Sequence, residues 1–359
     1  MLRLGGIQFG LPYLYHADEP IVVNHALAYG AGDLNPHFFK VPPLISYLLF
    51  LIYGLAYVVG RGAGFFKHVS DFENLFFRDP TFFYLTARIF FGAVLGTVSV
   101  YVLYRLIRRH FSEAHALVSA FFLAVAFLHV RDSHFIYADI PLVLVLIGAF
   151  FIFLALAEGR PGWKVHLAAG ALIGLATGIK YNGILVSIPY LAATLFGNER
   201  KKWLAHGMVA AGGAFFVYTL TNPFTWMDSA AFHKEISMQA SASGKTGFLH
   251  HLIYSLNGGI GPRLLAAGLG GMAASLIQKE KKRRVIASFV IGYYLLLVFR
   301  SQPYDRYVLP LIPFILFFAA DFLIRVSKSV LKGSRVSLSW LCFSPCPQSQ
   351  NQFFPTLFF

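Results

Sequence analysis

Asp18 and Glu19 are adjacent carboxylates in the segment YLYHADEP, ahead of Pro20. Neighbouring carboxylates in a cleft can divide catalytic work, because one accepts a proton while the other orients a substrate. The same two residues also suit an acidic N-terminal cap, ahead of Pro20 and an amphipathic helix over residues 21–29. The residues alone leave both interpretations open.

Lys40 and Arg88 are cations that could meet an anionic substrate. Lys40 ends the turn-rich stretch GDLNPHFFK. It either holds a lipid phosphate beside the Asp18 segment or reaches lipid headgroups from an interfacial helix. Arg88 lies about one turn inside an apolar segment, where desolvation of its charge is costly. A functional role is therefore expected, and a structural ion pair with a carboxylate is the alternative.

The segment HVRDSHFIYADIP combines acidic and basic side chains that could form a second part of a site. It contains His129, Arg131, Asp132, His134 and Asp139 within eleven positions. The spacing matches no standard zinc signature, so we predict no metal site. Asp139 also suits the cap of the helix that follows.

Two later segments carry further cations. Lys180 lies in GLATGIKYNG between two short apolar stretches, as a site residue or as an ordinary loop lysine. Arg300 and Arg306 lie seven positions apart, inclusive, in FRSQPYDRYVLP. Arginines beside tyrosines are common anchors at a bilayer surface. Paired arginines also suit a phosphate or pyrophosphate group.

The segment SGKT at residues 243–246 resembles part of a phosphate-binding loop. Gln239 occupies the position at which this motif requires its first glycine, and no hydrophobic strand precedes the segment. We therefore predict no nucleotide site, and no cofactor.

The composition is that of a protein embedded in a lipid bilayer. Of the 359 residues, 57% are hydrophobic and 13% are charged, with a mean hydropathy of +0.62, outside the range of soluble proteins. Apolar segments long enough for a bilayer recur. We predict an all-α integral membrane protein, a polytopic helical bundle of about nine spans. The predicted spans are approximately 83–105, 114–130, 139–157, 166–179, 183–197, 203–221, 262–278, 286–300 and 307–325.

The net charge of +14 is distributed in clusters between apolar segments. This pattern is typical of membrane topology and not of a nucleic-acid surface. The lipid bilayer is therefore a predicted partner, and no binding of nucleic acid is predicted. The clusters share one side, the cytoplasm by the positive-inside rule. Residues 41–60 would reverse the later clusters if they crossed, so they are predicted to be re-entrant or interfacial. The segments 1–82, 131–138, 222–250 and 301–306 then share the outer face.

Three regions follow from this topology. Residues 1–82 are predicted to form an outer catalytic loop with juxtamembrane helices, residues 83–325 the transmembrane bundle, and residues 326–359 a cytoplasmic tail. The first residues have the character of a loop that follows a helix, so we expect an apolar segment encoded upstream. From about residue 334 the composition changes and helical periodicity is lost, so no function is assigned there. Both cysteines lie in this tail, which excludes a disulfide framework.

The ordered motifs resemble the GT-C superfamily of glycosyltransferases, in the branch of protein O-mannosyltransferases and lipid A aminoarabinose transferases. The resemblance covers about residues 5–325 and is carried by YHADEP, GDLNPHFFKVPPL, the arginine of the next span, the histidine, serine and YADIP of the second break, GLATGIKYNG and PYDRYVLP. The family's first transmembrane helix is expected to be missing, and no soluble C-terminal domain is expected after residue 322.

The resemblance implies a role for each matching residue. Asp18 is implied as the catalytic base and Glu19 as its companion. The implied donor-phosphate-binding residues are Lys40, Arg88, Lys180 and Arg306. Asp139 is implied as the second-loop carboxylate near the acceptor, and His134 is predicted to belong to the same acceptor or second-loop site.

The implied activity is sugar transfer from a polyprenyl-phosphate donor to a hydroxyl of a protein, lipid or glycan, with inversion. Transfer is expected at the extracytoplasmic face of the plasma (inner) membrane, with a divalent metal optional. A secondary transporter or lipid flippase is the alternative, since it also needs intramembrane charge. Transporters usually show related halves, whereas the sequence shows no internal repeat. A noncatalytic scaffold would leave the outer charges unexplained.

Overall fold

A computed structural model describes residues 1–159, 162–197, 200–241, 248–298 and 303–341 of the chain. Within these ranges every regular element is a helix. The α-helices are α1 Glu19–Ala28, α2 Leu44–Gly62, α3 Val69–Arg78, α4 Thr81–Ala87, α5 Leu95–His110, α6 Glu113–Val125, α7 Phe127–Asp132, α8 Asp139–Glu158, α9 Trp163–Ile179, α10 Ser187–Phe196, α11 Trp203–Thr221, α12 Phe224–Met227, α13 Ser229–Ser241, α14 Asn257–Ile260, α15 Pro262–Ile277, α16 Lys281–Leu297 and α17 Ile312–Leu341.

Tighter and wider helical turns connect several of these helices. The 3-10 segments are Tyr29–Ala31, Tyr181–Val186, Arg200–Lys202 and Asp305–Leu311, and the π segments are Arg88–Val94 and His251–Leu256. Arg300, the SGKT segment and residues 342–359 lie outside the described residues. The backbone of α17 is helical past residue 334 to Leu341, and the predicted division into three regions stays a prediction.

The predicted all-α membrane fold is confirmed. Among the described residues, five helices are long and apolar enough to cross a bilayer: Leu44–Gly62, Thr81–His110, Asp139–Glu158, Trp203–Thr221 and Asp305–Ser329. The pair His251–Ile260 and Pro262–Ile277, bent by 112°, adds a sixth if it is one broken span. The count of about nine spans stays a prediction. Leu44–Gly62 is itself long and apolar enough to cross. Its interfacial position therefore rests on the charge pattern alone and stays a prediction.

Helix α8 is the centre of the bundle. It is apolar on all sides, as expected for a helix surrounded by others. Phe150 packs against Phe314 of α17, with ring centroids 4.4 Å apart, and against Phe289 of α16 at 5.8 Å. The burial of these large side chains therefore joins α8, α16 and α17 in one core.

The two ends of α8 carry different charge clusters. At its C-terminal end, Lys282 Nζ lies 2.7 Å from Glu158 Oε1 and donates to the carbonyl oxygen of His110 at 2.7 Å. Asp139 begins the helix at the other end. Twenty residues of helix span about 30 Å, the thickness of the hydrocarbon core. Three of the predicted cytoplasmic breaks, at residues 110, 158 and 282, thus meet at one end of α8, and the predicted site lies at the other.

A π turn brings the first long span close to the second break. Helices α4 and α5 form one span with the π segment Arg88–Val94 between them. A Cβ added at Gly92 would lie 2.4 Å from the carbonyl oxygen of Ser133, so only glycine permits this approach. The wide turn therefore fixes the break that leads into Asp139.

Candidate active site

Four of the predicted site residues line one cavity of about 290 Å³. These four are Asp18, Lys40, Lys180 and Arg306. The remaining lining residues are Ile21, Phe38, Val41, Tyr137, Tyr181, Asn182, Gln239, Tyr304 and Tyr307. The cavity therefore joins the first loop, the second break, the turn after α9 and the segment before α17.

Asp18 is paired with Arg306 across this cavity. Arg306 Nη2 lies 2.7 Å from Asp18 Oδ2, and the two side chains are 16% and 21% exposed. Asp18 occupies the cap position of α1, but its side chain makes no capping hydrogen bond. Its carboxylate thus faces the cavity instead of the helix end, which is the geometry that a base requires and a cap does not.

Asp139 holds Lys180 beside this pair. Lys180 Nζ donates to Asp139 Oδ1 at 2.7 Å, and the Asp139 side chain is 3% exposed. Its second oxygen is buried, makes no hydrogen bond within the described residues and lies 4.0 Å from Nε of Arg306. Acidic and basic groups therefore alternate from Asp18 through Arg306 and Asp139 to Lys180.

Lys40 lies at the open side of the cavity. Its side chain is exposed, with Nζ 5.8 Å from the ring centroid of Phe38. No carboxylate of the described residues lies within ion-pair distance of it. Three cations thus meet only two carboxylates here, which leaves one net positive charge for an anionic ligand.

The backbone that carries Lys40 is fixed by its neighbours. Gln239 Nε2 of α13 donates to the carbonyl oxygen of Lys40 at 2.9 Å. The backbone N–H of Phe39 donates to Glu235 at 2.6 Å, and Tyr181 O–H donates to the carbonyl oxygen of Phe39 at 2.8 Å. The first loop, α13 and the turn after α9 are thereby joined around one cation.

Glu19 and Arg88 form a separate buried pair. Arg88 donates through Nε and Nη2 to the two Glu19 oxygens at 2.8 and 2.6 Å, and the side chains are 1% and 0% exposed. Arg88 Nη1 also donates to the carbonyl oxygens of Ile7 and Phe9, each at 2.9 Å. The N–H of Ile136 donates to Glu19 at 3.1 Å. This is the structural ion pair that the sequence left open, and a role of either residue toward substrate stays a prediction.

His134 lies outside the cavity lining. Its Nδ1 is 2.8 Å from the carbonyl oxygen of Val130, and its Nε2 is 2.8 Å from that of Gly5. Its contacts therefore join the second break to the N-terminal segment, and an acceptor role for it stays a prediction.

The described residues contain no group of three or more His, Cys, Asp or Glu side chains placed to hold a metal ion. The prediction that no cofactor is needed stays a prediction.

The chain is similar to known membrane glycosyltransferases. Residues 83–226 match the family model of dolichyl-phosphate-mannose-protein mannosyltransferases. The crystal structure of ArnT from Cupriavidus metallidurans bound to undecaprenyl phosphate matches with a TM-score of 0.62 and 17% identity, over 93% of this chain and 60% of that one. The oligosaccharyltransferase of Archaeoglobus fulgidus, tethered to an acceptor peptide, gives a TM-score of 0.57 at 12% identity, over 91% of this chain and 49% of that one.

The chain has the GT-C fold. The resemblance drawn from the sequence motifs is thereby confirmed at the level of the fold, and over residues 83–226 by the match to the mannosyltransferase family model. This GT-C chain spans 60% of the ArnT chain and 49% of the oligosaccharyltransferase chain. Comparison with curated proteins gives no match.

The match to the family model covers only some of the residues at the cavity. Asp139 and Lys180 lie inside the matched range, whereas Asp18, Lys40 and Arg306 lie outside it. The structure, and not the family match, therefore brings the candidate base and two of the cations together.

Tyrosines of the cavity were not assigned to the site from the sequence. The ring centroid of Tyr137 lies 5.2 Å from Lys180 Nζ and 5.0 Å from Arg306 Cζ, and that of Tyr307 lies 5.2 Å from Lys180 Nζ. These distances allow cation–π contacts. Burial, followed by the charges of Asp139 and Asp18, raises the pKa of the Tyr137 phenol, which therefore stays neutral. The signal in the sequence was the position of Tyr137 two residues before Asp139.

Proposed function

We propose that the chain is a membrane glycosyltransferase that moves a sugar from a polyprenyl-phosphate donor to an acceptor hydroxyl, with Asp18 as the general base. The observation that carries this proposal is the cavity in which Asp18 is paired with Arg306 beside Lys40, a cation without a carboxylate among the described residues. Sugar transfer with a phosphate leaving group requires a base for the acceptor proton and cations that stabilise the phosphate charge. The cavity contains both.

The donor phosphate binds Lys40 and Arg306. Arginine binds phosphate through two parallel hydrogen bonds, and a phosphate monoanion competes directly with the Asp18 carboxylate for the Arg306 guanidinium. Binding of the donor thus releases Asp18 from its 2.7 Å ion pair. Asp18 is engaged by Arg306 until the donor binds, so it can accept the proton of the acceptor only afterwards. Donor binding therefore precedes productive acceptor binding.

The transfer step follows from this arrangement. The acceptor hydroxyl gives its proton to Asp18 while its oxygen forms a bond to the anomeric carbon. The bond from that carbon to the phosphate oxygen breaks, and the electron pair leaves with polyprenyl phosphate. Attack and departure occur on opposite faces of the sugar, so the configuration inverts. Lys40 and Arg306 stabilise the charge that grows on the phosphate.

An apolar groove supports a lipid tail on this donor. A space of about 210 Å³ is lined by apolar and aromatic side chains that include Leu256, Tyr294, Leu311 and Ile315. Leu311 lies five residues after Arg306, about 10 Å along a 3-10 helix. An isoprenoid chain is apolar and long enough to extend from a phosphate at Arg306 into this groove. The tail also gives a reason for an enzyme embedded in a bilayer.

The two buried ion pairs have supporting roles in this proposal. Asp139 keeps Lys180 at the cavity wall, and its 3% exposure makes it less accessible to an acceptor than Asp18. Arg88 binds Glu19, the next residue along α1, and so fixes the start of the helix that presents Asp18.

The comparisons support the class of donor and acceptor. ArnT was crystallised with undecaprenyl phosphate, and the oligosaccharyltransferase with a tethered acceptor peptide. The matched family model is described by its dolichyl-phosphate-mannose donor. By the positive-inside rule, the cavity opens on the extracytoplasmic face of the membrane. A transporter is less favoured, because the charged cavity lies at one end of α8 and not at its middle.

The test is a donor panel on the full-length protein in detergent. Polyprenyl-phosphate hexoses and pentoses are incubated with acceptor extracts, and the release of polyprenyl phosphate is followed. The matched control is the same sugar linked to a nucleoside diphosphate. We expect release of polyprenyl phosphate from at least one lipid-linked sugar, and no release of nucleoside diphosphate from the nucleotide sugar. Transfer from nucleotide sugars alone would contradict the proposal.

A further inference from the structure

Asp305, the residue before Arg306, is held by side chains from two other elements. Ser255, in the π segment His251–Leu256, donates through its hydroxyl to Asp305 Oδ1 at 3.1 Å. Arg131 of α7 has Nη1 3.5 Å from Asp305 Oδ2. The start of the segment Asp305–Leu311 is therefore attached to both α7 and the π segment.

The direction of these hydrogen bonds is determined by chemistry. A carboxylate only accepts, so the single hydroxyl proton of Ser255 points to Asp305. His251 Nδ1 lies 3.0 Å from the Ser255 oxygen and must donate to it. Both His251 and Ser255 are 1% exposed. The hydrogen bonds therefore run in one consistent direction from the buried His251 and Ser255 to Asp305, whose side chain is 49% exposed.

Arg131 is fixed by a second carboxylate. Its Nε and Nη2 lie 3.0 Å from Asp132 Oδ2, and the Asp132 side chain is 9% exposed. Because Arg131 is bound on this side as well, its contact with Asp305 comes from a guanidinium whose orientation is already fixed.

Asp305 and Arg306 extend in different directions from one tight turn. Successive residues of a 3-10 helix point about 120° apart. Asp305 faces Arg131 and Ser255, while Arg306 lies over the Tyr304 ring at 4.4 Å and reaches Asp18. Anchoring of the Asp305 side chain therefore sets the direction in which Arg306 leaves the backbone.

We propose that Asp305 is a positioning residue, which fixes the first turn of the Asp305–Leu311 segment through Ser255 and Arg131 and thereby aims Arg306 at the donor phosphate. The proposal deepens the proposed function and rests on it for the identity of the ligand. The anchoring itself is measured without any donor.

The first experiment compares binding of polyprenyl phosphate to detergent-purified Asp305→Ala and Asp305→Asn protein. Alanine loses both contacts, whereas asparagine keeps an acceptor for Ser255. We expect affinity to fall by about three- to tenfold in the alanine variant, the equivalent of about one hydrogen bond, and by less in the asparagine variant. Glu113→Gln is the matched control, since this exposed carboxylate pairs with Arg108 outside the cavity. It is expected to bind as the wild type does.

A double-mutant cycle separates positioning from a general loss of structure. In an Arg306→Ala background, Asp305→Ala is expected to cause no further loss of polyprenyl-phosphate affinity, because the residue it positions is gone. An equal loss in both backgrounds would overturn the proposal. So would unchanged affinity of Asp305→Ala in the presence of Arg306.

Hydrogen exchange decides the anchoring when no ligand binds. The backbone amides of residues 304–309 and of Leu311 are expected to exchange faster in Asp305→Ala than in the wild type, and Ser255→Ala is expected to show the same direction. Unchanged exchange in both variants would overturn the proposal. Absence of polyprenyl-phosphate binding by the wild type, with faster exchange in the variants, would reject the proposed function and leave the anchoring supported.

Discussion

The buried pair of Arg88 and Glu19 gives a sharp test of which predicted residues act on substrate. In Arg88→Met, the Glu19 carboxylate at 0% exposure loses both of its guanidinium hydrogen bonds, at 2.6 and 2.8 Å. Removal of one partner of a buried ion pair costs roughly 3–5 kcal/mol. The carbonyl oxygens of Ile7 and Phe9 each lose a further bond of about 1 kcal/mol. We therefore expect a large loss of stability.

The measurement is thermal unfolding of the detergent-purified variants. Arg108→Met is the matched control, because Arg108 and Glu113 form an ion pair at 2.8 Å with side chains 58% and 50% exposed. Exposed pairs contribute about 0–1 kcal/mol, so this control should unfold near the wild-type temperature. Addition of Glu19→Gln to Arg88→Met should recover part of the loss, since no buried charge then remains unpaired.

One outcome would refute this reasoning. If Arg88→Met unfolded at the wild-type temperature but no longer bound polyprenyl phosphate, Arg88 would act on the donor, as the family resemblance implies. The structural role of the pair would then be rejected.

Three further predictions follow from charge and topology. Lys40→Ala should weaken polyprenyl-phosphate binding by about 10- to 100-fold, the value of a charge-assisted hydrogen bond, and Lys40→Arg should retain most of it; equal binding by wild type and Lys40→Ala would contradict this. Burial raises the pKa of Asp132 from 3.8 to about 6, so the folded state holds that proton more tightly than the unfolded state, and its contribution to stability is lost as pH rises between about 4 and 6. Asp132→Asn should therefore equal or exceed wild-type thermal stability above about pH 6 and lose this advantage below about pH 4; the opposite trend would contradict the assignment. In a background without native cysteines, Asn74→Cys should react with an impermeant reagent from outside the cell and Lys279→Cys should not; reversed labelling would overturn the sidedness.

The grouping of the cavity residues was predictable from the sequence. Asp18 and Lys40 precede the first predicted span, and Lys180 and Arg306 each lie between two later spans, on the face opposite the basic clusters. Hydropathy and charge are averages over many residues, so they survive uncertainty in each helix boundary. Fold class and common location therefore needed no tertiary information.

The roles within the adjacent Asp18–Glu19 pair were not predictable. Successive helical residues point about 100° apart, so one of the two faces the cavity and the other the core. Only the positions of Arg306 and Arg88 in space decide which is which. Local sequence does not indicate which arginine each carboxylate contacts, because both arginines are distant along the chain.

Helix breaks were also underdetermined. The predicted span 114–130 is divided at Ala126, whose ψ of 117° is extended, and α7 begins immediately after it. Ala126 is a good helix former, so no local propensity marks the break. Likewise, the apolar length of Leu44–Gly62 fits both a span and an interfacial helix, and composition does not distinguish them.

The most direct test of the central claim is the turnover of Asp18→Asn with its donor affinity measured in parallel. Asparagine matches aspartate in size but accepts no proton, so turnover with a lipid-phosphate sugar should fall by about 10²- to 10⁴-fold. The neutral amide replaces the carboxylate that lies 2.7 Å from Arg306. Polyprenyl phosphate should therefore bind as tightly as in the wild type or more tightly. Asp33→Asn, an exposed aspartate of the same loop, is the control. Near-normal turnover of Asp18→Asn would contradict the account, and the role of base would move to Glu19 or Asp139.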